Sequence, residues 1–371
     1  MAFSKSLQKG QIPVGCELCD GRNKIEYKCL DCGVLMCSKC KDKVHSRFKS
    51  ASEHKVKRIQ ELGQYEEVDT FNFSGNMDVQ HNKIELKVSK QFTTKLSNVH
   101  HIERCPDGTL WMYDCISEKI QHIKFDSGNI QIVLAMDIDI FGMVVMNACN
   151  NLLIVYVAGD KTALGIINST TGQITDSNYD LKPNISLPEC VHMTNDHRVI
   201  VGVGGEGTKT AVIVMSQDGR HLATYEQDSK KEPLFTCPRV ITSTKNGNIS
   251  VVDEQDSDVY RVMVLGKEGD IKQVYNGHPT INKEEKLFLP NDMITTPADN
   301  IVIPDLLTST LHILNCEGKF IGYYNLYDIR IIYPSSLALS TEGHMYIGCS
   351  NKQDSPATLK GKLYELEYSG F

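Results

Sequence analysis

The sequence predicts a small zinc-binding domain followed by an all-β body folded as a six-bladed β-propeller. Three observations lead there. Eight candidate metal ligands crowd the first 54 of 371 residues. Turn-type pairs then recur at intervals of 43 to 53 residues, each followed by a short apolar run. In five of the six repeats a second turn comes about 20 residues behind the first.

The ligand candidates are Cys16, Cys19, Cys29, Cys32, Cys37, Cys40, His45 and His54. Three Cys-x2-Cys pairs make knuckles, because a two-residue spacer turns the backbone so that both sulfurs reach one ion. Only four residues separate the second pair from the third, so sequential filling needs a very tight reversal. Interleaved filling relieves it. One zinc then takes Cys16, Cys19, Cys37 and Cys40, and the other takes Cys29, Cys32, His45 and His54, with Glu53 beside the last as an alternative. The few apolar residues between ligands, such as Tyr27, Leu35 and Met36, are too little core to hold such a module without metal. Two structural zinc ions supply the constraint, and the apo module is expected to unfold.

This stretch resembles a B-box zinc finger of the tripartite-motif family, which binds two zinc ions in that crossed order. It departs from the type-2 pattern at Cys19, where histidine is usual. A RING finger before the B-box and a long coiled coil after it are usual in that family and are missing here. Residues 46–66 show helical spacing at Val56, Ile59 and Leu62, but sustain no heptads.

The body repeats with first turns at Asp107-Gly108, Asn150-Asn151, Asn195-Asp196, Asn246-Gly247, Asp299-Asn300 and Glu342-Gly343. Second turns lie at Ser127-Gly128, Thr171-Gly172, Asp218-Gly219, Glu268-Gly269 and Glu317-Gly318. Such pairs between β-formers are hairpin signals, since Gly and Asn tolerate the positive φ of a tight turn. Two hairpins per repeat make a four-stranded antiparallel unit, and six units close a ring that protects its edges. The last repeat supplies three strands before the chain ends, so residues 82–92, alternating at period two, are expected to close it. The domains are then 12–58 for the zinc module, 59–81 for a linker and 82–371 for the propeller.

Several blades also resemble NHL repeats, through the stretches 108–114, 247–253 and 299–305, each ending in aspartate. Asp114, Asp253 and Asp305 therefore occupy equivalent places, suited to accept backbone hydrogen bonds from adjacent loops or, converging, to hold a metal. The adjacent His100 and His101 read as a strand-edge pair pointing to opposite faces.

The chain shows no run of about 20 apolar residues, no signal-peptide pattern and no nucleophile elbow, phosphate loop or dinucleotide fingerprint. The Gly-rich run 201–207 reads as a blade edge rather than a phosphate cradle. Seven dispersed cysteines outside the cluster point to reduced thiols and a cytoplasmic location. Residues 1–65 carry 13 Lys and Arg against 7 Asp and Glu, so the body holds the acidic balance of a chain whose net charge is -7. The resulting expectation is a non-catalytic scaffold that binds protein partners through the B-box and a propeller rim, as a monomer or by weak self-association, with no membrane contact. Its candidate rim loops are 175–188, 226–236, 276–290 and 350–361. RNA binding by the propeller and a cofactor role in ubiquitin ligation are the alternatives.

Overall fold

The computed structural model describes residues 26–29, 35–43, 56–58 and 84–371, apart from 147–148, 160, 182–186, 205–208, 257–258, 284–285, 353–354 and 356–357. The chain divides into two compact units, 1–79 and 80–371. In the first, β1 (Tyr27–Cys29) pairs with β2 (Leu35–Met36) and with β3 (Val56–Arg58), beside a short helix, α1 (Ser38–Lys43). The helical spacing read around Val56 is therefore not realised there. Val56 pairs with Cys29 instead, as a β-branched residue on a sheet edge does.

The second unit begins with β4 (Glu85–Thr93) and continues as six four-stranded antiparallel sheets. Blade 1 holds β5 (His101–Arg104), β6 (Leu110–Asp114), β7 (Lys119–Asp126) and β8 (Asn129–Asp137). Blade 2 holds β9 (Ile140–Val145), β10 (Leu152–Ala158), β11 (Lys161–Ile167) and β12 (Ile174–Asp176). In blade 3 are β13 (Leu187–Met193), β14 (Val199–Gly204), β15 (Ala211–Met215) and β16 (His221–Tyr225). Blade 4 has β17 (Pro238–Ser243), β18 (Ile249–Asp256), β19 (Val259–Leu265) and β20 (Ile271–Tyr275). Blade 5 has β21 (Ile294–Thr295), β22 (Ile301–Asp305), β23 (Thr310–Leu314) and β24 (Phe320–Asn325). Blade 6 joins β25 (Pro334–Leu339), β26 (His344–Cys349) and β27 (Lys362–Ser369) to β4, which pairs along β27 from Thr93 opposite Lys362 to Glu85 opposite Ser369. The ring is thus closed by a strand from its own beginning.

Turn chemistry sets the hairpins. Gly108 and Gly247 sit at φ +87 where the first hairpins of blades 1 and 4 reverse, a conformation that costs a residue with a Cβ. Middle strands such as β6, β15, β22 and β23 are buried along their whole length, because neighbouring blades cover both of their faces. Outer strands such as β16 alternate half-buried and exposed residues. Apolar side chains collect in six clusters among the described residues, one at each contact between successive blades. Each fully buried aliphatic side chain is worth roughly 2 kcal/mol, against about 0–1 kcal/mol for an exposed ion pair. Interblade packing therefore holds the ring shut.

Trp111 and Tyr113 belong to the cluster between blades 1 and 2 and are fully buried. The Trp111 indole N–H donates to the Asn150 carbonyl at 3.1 Å, and the Tyr113 hydroxyl accepts from the Ile140 amide at 2.9 Å. No helix among the described residues is long and apolar enough to cross a membrane.

Candidate active site in the axial cavity

The first strands of the six blades, β5, β9, β13, β17, β21 and β25, neighbour one another in a closed circle around the axis. They enclose a cavity of about 270 Å³, lined among others by His101, Glu103, His192, Thr242 and Asp292. Alternation along β5 places this chemistry: Ile102 goes into the core between blades 6 and 1, so His101 and Glu103 face the axis together. His100 serves the other side of the strand, with Nδ1 3.3 Å from the buried Asp114 carboxylate. Burial opposes its charge, but the bond to Asp114 prevails and lifts its pKa to about 9.

Two carboxyl groups, from blades 1 and 5, line this cavity. Glu103 accepts from the Val145 amide at 3.5 Å. Burial, and then the charge of Asp292, push Glu103 up to about 8. Asp292, just ahead of β21, accepts from the Met293 amide at 2.8 Å and the Leu337 amide at 2.6 Å. Those two bonds favour its ionised form, yet burial outweighs them and raises it to about 7. The two histidines move the opposite way. Burial and the neighbouring His100 charge take His101 down to about 4, and burial alone takes His192 down to about 4. At neutral pH the cavity therefore holds neutral imidazoles and a carboxyl pair poised between protonated and ionised forms. Arg239, at its border, bridges Glu189 at 3.1 Å and Glu254 at 2.6 Å.

Asp114, Asp253 and Asp305 lie apart from that cavity and are fully buried. Asp114 accepts from the Ser97 and Asn98 amides, both at 3.1 Å. Asp253 accepts from the Thr236 and Cys237 amides at 2.8 Å and pairs with Arg261 at 2.8 Å. Asp305 accepts from the Leu289 amide at 3.2 Å and the Thr308 hydroxyl at 2.7 Å. Each aspartate pins the segment entering the first strand of its own blade. They are struts, and do not converge on a metal.

Of the zinc-ligand candidates, Cys37 and Cys40 are described: both are buried, one just before α1 and one in its first turn, where the Lys41 amide bonds the Cys37 carbonyl at 3.0 Å. Cys29 has its backbone on β1. Cys16, Cys19, Cys32, His45 and His54 lie outside the described residues. Among the described residues no three His, Cys, Asp or Glu side chains form a cluster that could hold a metal.

Glu103 and Asp292 were missed in the sequence. Glu103 left one faint signal, the alternation His-Ile-Glu in a strand where apolar residues are expected on both faces. Asp292 left none, since a lone acid after Pro-Asn reads as a loop residue.

The B-box zinc finger family model matches residues 13–59. No curated protein matches the chain by sequence. Among solved structures, the propeller is similar to the PQQ-bound aldose sugar dehydrogenase of Streptomyces coelicolor, at TM-score 0.57 and 11% identity over 78% of this chain and 99% of that one. It is similar to a gluconolactonase of Xanthomonas campestris, at TM-score 0.53 and 10% identity over 77% and 91%. A luciferin-regenerating enzyme matches at TM-score 0.54 and 8% identity over 78% and 98%. At such identities the likeness is one of fold. The structures that share it include a sugar dehydrogenase, a gluconolactonase and a luciferin-regenerating enzyme, which corrects the NHL-type propeller read from the Gly-to-Asp stretches. The expectation of a non-catalytic scaffold, drawn from the absence of catalytic motifs, is corrected together with its RNA and ubiquitin-ligation alternatives, because these solved structures that share the propeller fold are enzymes. The aspartates that carried the NHL resemblance are loop struts, and such struts serve any propeller. The chain is a zinc-finger-type motif followed by a six-bladed all-β propeller.

Proposed function

We propose that the propeller is an acid–base hydrolase for a small, uncharged carbonyl compound, with cyclic esters such as sugar lactones as the first substrates to test. The carrying observation is the Glu103–Asp292 pair, two carboxyls whose environments push their pKa values to about 8 and about 7 inside one cavity. Burial raises both carboxyls, Glu103 further than Asp292, which suits Glu103 to hold a proton and Asp292 to accept one. Asp292 takes a proton from a water attacking the carbonyl carbon, and Glu103 gives its proton to the ring oxygen as the C–O bond breaks. Water is consumed and a hydroxy acid is released. The dehydrogenase and gluconolactonase likenesses suggest the substrate class and supply no residue roles. PQQ, a polycarboxylate, does not suit a cavity that already holds two acidic groups, and no step is routed through it or through a metal.

Hydrolysis of glucono-δ-lactone and a set of larger lactones, followed by proton release, tests this. Glu103→Gln and Asp292→Asn are each expected to lower kcat by about 10²–10⁴-fold with melting temperature retained. Turnover unchanged in both variants, or none by the wild type across the set, would end the proposal.

For the amino-terminal module the reading remains two structural zinc ions, on Cys16, Cys19, Cys37 and Cys40 and on Cys29, Cys32, His45 and His54. It is supported by the family match and by the burial of Cys37 and Cys40 at the start of α1. Domain limits of 12–58, 59–81 and 82–371 accord with compact units meeting between residues 79 and 80. A cytoplasmic location accords with the free thiols of Cys105, Cys115, Cys149, Cys190, Cys237, Cys316 and Cys349.

A further inference from the structure

One polar pair beside the axial cavity has no part in the carboxyl chemistry. His192 on β13 and Ser243 at the end of β17 come from neighbouring blades, with Nε2 2.9 Å from Oγ. His192 lines the axial cavity and also an adjoining one of about 310 Å³, where Ser243, Asn195, Lys245 and Thr295 join it. Ser243 is half-buried and so reachable from that second space. Its backbone is held by the turn that follows, in which the Thr244 amide bonds the Asn248 carbonyl at 3.0 Å and the Gly247 amide bonds the Thr244 carbonyl at 2.9 Å.

We propose that Ser243 and His192 form a nucleophile–base pair for acyl transfer from a small neutral ester. A hydroxyl becomes a useful nucleophile when an unprotonated base sits within hydrogen-bond reach, and burial keeps this imidazole uncharged at neutral pH. Ser243 Oγ forms a bond to the ester carbonyl carbon as its proton passes to Nε2. The C–O bond to the alcohol then breaks, the alcohol leaves with that proton, and a water activated by the same imidazole cleaves the acyl-serine to acid. Charge selects the neutral ester. The lining carries one charge of each sign, the Lys245 ammonium, which bonds the Pro297 carbonyl, and the Asp299 carboxylate, which accepts from the Lys245 amide at 2.7 Å, so the balance of charge suits a neutral substrate.

The proposal stands apart from the Glu103–Asp292 reading, and one experiment keeps them distinct. Full-length protein is treated with an alkyl fluorophosphonate, and the adduct is located by peptide mass spectrometry. A single adduct on Ser243 is expected in the wild type and equally in Glu103→Gln. Ser243→Ala should lose it, with circular dichroism and melting temperature unchanged. His192→Asn should label a hundredfold or more slowly. In the wild type the labelling rate should be level between pH 6 and 8 and fall as pH drops below about 5, a profile that a purely structural hydrogen bond does not produce. No adduct, an adduct on another residue, or a rate indifferent to His192 and to acid would overturn it, and the wild-type pH profile decides even where a variant fails to fold.

Discussion

At the residue scale, burial decides what each ionisable group does. Glu103 and Asp253 are both carboxyls within a β-propeller, yet one meets another acid across a cavity while the other meets Arg261 and two amides. Their mutants should differ accordingly. Asp253→Ala leaves the Arg261 guanidinium and two amides short of a partner, and a loss of about 3–5 kcal/mol in denaturant unfolding is expected. Asp218→Ala, at an exposed hairpin, should leave the unfolding midpoint nearly where it was. For Glu103 the effect is on pH. Folded, it keeps its proton up to about pH 8, whereas the ordinary carboxyl value is 4.5. Across that window the native state binds a proton the unfolded chain has released, so stability falls as pH rises. Asp292 adds to the fall up to about pH 7. His101 and His192 act in the other direction, costing stability as pH drops from 6.5 toward about 4. Above pH 6.5 the carboxyls are joined by His100, whose bond to Asp114 keeps its proton to about pH 9 and whose contribution also falls as pH rises. The wild-type melting temperature should therefore decline from pH 6.5 to 8, and Glu103→Gln should lessen that decline without abolishing it; an identical slope in both would remove Glu103 as one of its sources.

Among the elements, β4 carries the most consequence for its length. It is the outer strand of blade 6, and Leu86 and Phe92 reach the clusters on either side of that blade. Lys87 and Lys90 add ion pairs to Glu367 and Glu365 at 3.1 and 3.0 Å, the first of them exposed and worth little. A chain starting at residue 80 is expected to melt like the propeller of the full protein. A chain starting at residue 94 leaves β27 unpaired along its edge, and should melt well below it or aggregate, as differential scanning calorimetry and light scattering would register. Period-two alternation made this strand legible in the sequence. The helical spacing around Val56 misled, because three apolar residues at that spacing say nothing of a strand waiting to pair.

For the whole molecule, two compact units, the first proposed to be held by zinc and the second built on interblade packing, imply two responses to one treatment. Chelation by a strong zinc ligand should release two ions per chain and unfold the amino-terminal unit, while the propeller transition in calorimetry keeps its midpoint. A release of one ion would contradict the two-site assignment. Loss of the propeller transition would show that the units do not stand separately.

The blade period, the hairpin glycines and the Cys-x2-Cys spacing were all written in the sequence, because each depends on residues within a few positions of one another. Glu103 and Asp292 were not, and neither was the meeting of His192 with Ser243. Residues from separate blades come to share a cavity only once the ring closes, and a carboxyl's pKa depends on the dielectric and the charges that closure brings to it. The sequence by itself determined how many sheets there are and where they turn. Only the tertiary structure decided which side chains share the axis, and that choice is what gives the propeller a candidate chemistry.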